Sequence, residues 1–135
     1  MNVLDENVLA SQRAQLLRWN VPIRQIGMEL GHKGMKDEAL IPFLLRLRRP
    51  TFFTRDDGFY RRSLCHPGYC LVYLGIEGEQ AAHLVRALLR HPKVRSWVQR
   101  DGRVIRVSTQ GISMWEGHAA AEETCQWPKA RRRTP

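Results

Sequence analysis

The sequence predicts an α/β protein, a three-layer α/β/α sandwich with a mainly parallel central sheet, and three observations carry that expectation. Short apolar, strand-like runs alternate with segments of helical period through most of the chain. The run Tyr69 to Leu74 is almost wholly apolar, as a central strand buried on both faces would be. Two further runs, Met1 to Leu4 and Thr51 to Phe53, stop abruptly at carboxylates.

In chain order, Met1 to Leu4 is a short strand that runs into Asp5-Glu6-Asn7. Val8 to Trp19 follows as a helix, with Leu9, Leu16 and Leu17 plus Ala10 and Ala14 as its apolar stripe. Asn20-Val21-Pro22 breaks it, and Pro22 to Ile26 is a second strand. Gly27 to Lys36 has glycines and no apolar period, so it reads as a loop. Asp37 opens a helix with Leu40, Ile41, Leu44, Leu45 and Leu47 on its apolar face, closed by Arg46, Arg48, Arg49 and then Pro50.

After the strand Thr51 to Phe53 and its acidic end, Gly58 to Arg62 begins a short connection to the strand Tyr69 to Leu74. Glu79 to His91 has the clearest helical spacing in the chain, in Ala81, Leu84, Val85, Leu88 and Leu89. Arg103 to Ser108 and Ile112 to Trp115 alternate around Thr109-Gln110-Gly111 and predict a C-terminal β-hairpin. The expected domain is therefore 1–116, with 117–135 a poorly ordered basic tail that ends in Arg131-Arg132-Arg133.

The chain has 135 residues, enough for one core without disulfides or structural metal, and 22 Lys and Arg against 13 Asp and Glu give a formal charge of +9. That balance favours a polyanionic partner such as RNA. Cys65, Cys70 and Cys125 are an odd set with no second ligand pair at zinc-like spacing, His118 and Cys125 being only distant candidates. No signal peptide or apolar run of about 18 residues interrupts the domain, so a reducing, cytoplasmic location without a membrane partner is expected.

In open parallel sheets, ligands sit outside the carboxyl ends of the strands. Asp5 and Asp56 fall there, and Asp37, at a helix start after a strand and loop, belongs to the same edge. Converging carboxylates repel one another unless a cation holds them, and all-oxygen donors suit Mg²⁺ or Mn²⁺. Asp5, Asp37 and Asp56 are thus the expected metal ligands, with Glu6, Glu38 and Asp57 orienting water. Arg55, Arg61, Arg62, Lys33, Lys36 and the ring of Tyr60 would hold the RNA backbone and bases.

Each acid also has a structural role open to it. Asp37 is placed to cap its helix, Asp5 and Asn7 to cap the one before it, and Asp56-Asp57-Gly58 to form a turn. Only their recurrence at equivalent ends favours metal binding.

Val3-Leu4-Asp5-Glu6-Asn7, Gly34-Met35-Lys36-Asp37-Glu38 and Phe53-Thr54-Arg55-Asp56-Asp57-Gly58-Phe59 together resemble the PIN-like domains of the DUF5615 and Mut7-C type, relatives of VapC-like toxin ribonucleases. The resemblance runs from about Met1 to Trp115. It implies a PIN-like fold and a Mg²⁺- or Mn²⁺-dependent endoribonuclease, often the toxin of a toxin-antitoxin pair, with Asp5, Asp37 and Asp56 at the family's acidic positions. Where that family's third motif has its second acid, this chain has Gly58, with Asp57 one residue early. A noncatalytic PIN-like module binding RNA or protein is the alternative, and a DNA nuclease a third reading. RNA is the expected partner, with an antitoxin protein and a second copy of the chain as further candidates.

Overall fold

A computed structural model describes residues 1–75 and 78–129. Its strands are β1 (Asn2–Leu4), β2 (Arg24–Gln25), β3 (Thr51–Thr54), β4 (Cys70–Leu74), β5 (Val104–Val107), β6 (Gly111–Trp115) and β7 (Glu123–Gln126). They form one sheet in the order β2-β1-β3-β4-β5-β6-β7. β1 to β5 are mutually parallel, and β6 runs antiparallel to both of its neighbours. The mixed α/β class with a mostly parallel sheet agrees with the sequence.

Alternation along the strands divides the core into two layers. Val3, Phe52, Leu71 and Val104 enter one cluster, while Leu4, Phe53, Val72 and Ile105 enter the other. Helix α2 (Asp37–Leu45) packs on the first through Leu40 and Leu44, one turn apart. Helices α1 (Ala10–Arg18) and α3 (Ala81–Arg90) cover the second through Leu16, Leu84, Val85 and Leu88. The Gln12 side chain ties these two together by accepting the Ala82 N–H at 2.9 Å.

Several expectations need correction. In α1 only Leu16 faces the core; Leu9 and Leu17 are 40% and 48% exposed, because the sheet offers one face and they lie off it. Helix α2 ends at Leu45, so Arg46, Arg48 and Arg49 lie beyond it, Arg49 with a positive φ of 51°. A short helix α4 (Trp97–Arg100) appears where none was expected, started by a capping box between Ser96 and Gln99. Its Arg100 is buried: Nε donates to Thr51 Oγ1 at 3.0 Å, and Nη1 to the carbonyls of Val94 and Arg95 at 2.9 Å each.

The ordered domain also extends past 116. Glu123–Gln126 pairs with β6 as β7, and Trp127 donates its indole N–H to Ser108 O at 2.8 Å while its ring meets His91. Gly111 permits this pairing, since a Cβ there would stand 2.2 Å from Cys125 O. Arg131, Arg132 and Arg133 lie outside the described residues. No helix among those described is long and apolar enough to cross a membrane.

Candidate functional site

From β1 the chain crosses to one side of the sheet and then back past β1 to the other. α1 returns it along one face of the sheet to β2, and α2 brings it along the opposite face to β3 on the other side of β1. Helices diverging to opposite faces open a crevice at the carboxyl ends of the two strands between them. Asp5 follows β1 directly, and Asp56 lies two residues beyond β3.

Asp5 is 8% exposed, and its position is fully specified. Its N–H continues the sheet ladder to Phe53 O at 2.8 Å, and its carbonyl accepts from the Gln25 side chain at 3.0 Å. One carboxylate oxygen accepts the Glu6 N–H at 2.7 Å, and the other accepts the Thr54 hydroxyl at 2.6 Å. Burial pushes the Asp5 carboxyl above its ordinary pKa, opposed by those two hydrogen bonds. The negative charges of Asp37 and Asp56 push it further in the same direction, so all three acids share one electrostatic environment.

Thr54 is the hub that joins them. Besides donating to Asp5, its hydroxyl accepts the Asp56 N–H at 3.0 Å and the Asn7 side-chain amide at 3.5 Å. Asn7 does not cap α1, whose first flanking residue is Leu9; instead its side-chain Oδ1 accepts the Arg55 N–H at 3.2 Å and clips the ends of β1 and β3 together. Asp56 does play the turn role, with Oδ1 accepting the Gly58 N–H at 2.9 Å. Asp37, by contrast, makes no capping bond: Lys36 occupies that position, and α2 starts without a side-chain cap.

The other expected site residues divide between those that face this edge and those that do not. Both oxygens of Glu6 accept the Gly34 N–H, at 2.9 and 3.2 Å, so Glu6 anchors the glycine loop rather than standing free for water. Glu38 and Asp57 are exposed in the first turns of α2 and of a 3-10 turn. The Arg55 guanidinium lies against Asn7 O and Gly78 and forms no ion pair among the described residues. Lys33 lies beside Gly27 and Glu6. Lys36 and Arg61 are exposed, while Arg62 stands over the Trp115 ring and Tyr60 under Arg106.

Among the described residues, none of Asp5, Glu6, Asp37, Glu38, Asp56 and Asp57 forms an ion pair, although the chain has a formal charge of +9. A carboxylate set left unpaired by so many cations matches a hard dication in donor type. Its spacing is less complete: no three His, Cys, Asp or Glu among the described residues stand close enough to hold one ion together.

Sequence reading missed Thr54, Asn7 and Gln25. Thr54 and Asn7 lie inside the quoted motifs, yet their roles appear only when β1 and β3 are placed side by side. Comparison with protein-family models, curated proteins and solved structures found no match to this chain.

Proposed function

We propose that the protein is a PIN-like, divalent-metal-dependent ribonuclease whose acidic centre is Asp5, Asp37 and Asp56. The observation that carries this reading is the placement of Asp5 at the switch crevice, buried, paired with no cation among the described residues, and raised in pKa first by that burial and then by Asp37 and Asp56. A structural carboxylate buried in a protein this basic would be expected to meet an arginine.

To hold Mg²⁺ or Mn²⁺, Asp5, Asp37 and Asp56 would have to draw closer together than they stand here, where no three of the described residues are at metal-binding spacing. Such an ion lowers the pKa of a bound water and stabilises charge on the leaving oxygen of a phosphodiester. The chain's own part is positional. Thr54 fixes the rotamer of Asp5, the Gly58 N–H fixes Asp56, and Asn7 keeps the two strand ends in register. Glu38 and Asp57, both exposed, are the carboxylates free to accept a proton from water.

The alternative, a PIN-like module that binds RNA without cleaving it, is favoured by the absence of a three-residue metal group among the described residues. Incubating the protein with end-labelled RNA and Mn²⁺ or Mg²⁺ separates the two readings. Metal-dependent cleavage that falls about 100-fold in Asp5→Asn and Asp56→Asn is the expected result. Cleavage unchanged in both variants would sink the assignment, and metal-independent RNA binding without cleavage would establish the alternative.

A further inference from the structure

The sheet changes character beyond β4. On the α2 side, Val3, Phe52, Leu71 and Val104 are core, but the next residues outward on that face, Arg106 of β5 and its cross-strand partner Ser113 of β6, belong to neither core cluster. Trp115 shares the face, two residues beyond Ser113. The face is therefore polar here, exposed at Arg106 and half-buried at Trp115, with Ser113 buried between them.

Two aromatic rings stand over it, each with an arginine. The Arg106 guanidinium carbon is 5.3 Å from the centroid of the Tyr60 ring, and that of Arg62 is 5.9 Å from the Trp115 ring. Arg106 also reaches Ser113 Oγ with Nη2 at 3.5 Å. Tyr60 lies just past the turn made by Asp56, so this surface begins beside the acidic edge. A cleft of about 550 Å³, lined by Arg106, Ser113 and Glu122 together with Thr124 and Gln126 of β7, adjoins the Arg106 end of this face.

One anion already sits there: the Tyr60 hydroxyl donates to Glu122 at 2.5 Å. Glu122 thus places a carboxylate in the same cleft as Arg106, though no ion pair joins the two, and its negative charge would oppose a phosphate drawn there by Arg106.

We infer that this face is a track for an unpaired RNA strand leading from the acidic edge, with bases stacking on Tyr60 and Trp115, phosphates held by Arg106 and Arg62, and the charge of Glu122 opposing them. The inference rests on the reading of the protein as RNA-processing and narrows its substrate to single strands. Bases in a duplex stack on each other and have no free face for these rings, whereas alternating rings and guanidinium groups suit a flexible strand of any sequence. The sheet surface supplies stacking and charge, with little to read base identity.

The test is fluorescence anisotropy with labelled oligouridylate, an A·U duplex of equal length and a polyglutamate peptide, all in EDTA so that no cleavage accompanies binding. The single strand should bind about tenfold more tightly than the duplex. Arg106→Gln and Tyr60→Ala should each weaken single-strand binding about fivefold. Glu122→Gln, which removes the opposing charge at an exposed position, should tighten it. Equal binding of strand and duplex, polyglutamate binding as tightly as RNA, or weaker binding in Glu122→Gln would each overturn the track. Single-strand preference with these signs, but no cleavage with any metal, would uphold the track and reject the nuclease. Cleavage retained with Arg106→Gln and Tyr60→Ala binding normally would do the reverse.

Discussion

The Thr54 hydroxyl lies 2.6 Å from Asp5 Oδ2 and joins the carboxyl ends of two parallel strands through a single side chain. Thr54→Val keeps the shape and removes the hydroxyl, so Asp5 loses a donor that favours its charged form, while the Asp56 N–H loses its acceptor. The variant should lose about 1–3 kcal/mol of stability and show a still higher Asp5 pKa. Thr54→Ser, which keeps the hydroxyl, should lose about 1 kcal/mol. Denaturant melts and carboxyl titration by NMR check both; equal losses in the two variants would mean that only packing matters at this position.

Asp5 makes a second expectation quantitative in sign. Its pKa is raised on folding, so the folded state binds the proton more tightly than the unfolded chain. The stabilisation from the protonated form is fully present below the unfolded-state pKa and is lost as pH rises through the higher folded-state value. Asp5→Asn should therefore be more stable than the parent at about pH 7, with the gap closing as pH falls toward about 4. Urea melts across that range would show it. A gap that widens on acidification would contradict the assigned direction.

Gly58 stands where the resemblance to PIN-like domains would place a second acid. A Cβ there would lie 3.1 Å from Asp56 Oδ1, so Gly58→Asp brings a second carboxylate against the first. Without metal, the two like charges should lower the melting temperature. With Mn²⁺, the same pair should bind the ion more tightly, giving a larger thermal upshift than in the parent. Thermal scans with and without Mn²⁺ read both effects, and a variant destabilised equally under both conditions would count against a metal at this edge.

The strands and helices that pack were legible because burial leaves a periodic signal. Thr51–Thr54 and Cys70–Leu74 are apolar runs, and α3 repeats its apolar residues at helical spacing. β7 was not, because Glu123-Thr124-Cys125-Gln126 is an edge strand with only Cys125 turned toward the core. Its cue lay elsewhere, in Gly111 and Trp127. The acidic edge was legible as repeated strand-end carboxylates, whereas the hydrogen bonds that hold it depend on which strands become neighbours, and composition does not encode that.

Gly111→Ala tests the approach of β7. With Cys125 O 2.2 Å from the added Cβ, the strand must move away, at a cost of about 1–3 kcal/mol. Amide exchange across Glu123–Gln126 should accelerate sharply while β3 and β4 stay protected. Unchanged protection in β7 would show that the pairing tolerates the methyl group.

The insertion of β1 between β2 and β3 has a consequence for when the acidic centre exists. Asp5 and Asp56 are separated in sequence by α1, β2 and α2, and they meet only after β1 and β3 have paired across that whole interval. Closing so long a loop is slow compared with forming any one helix. The Asp5–Thr54–Asp56 cluster therefore depends on both strands: it is absent from a nascent chain still lacking β3 and lost as soon as β1 detaches, even if every helix survives.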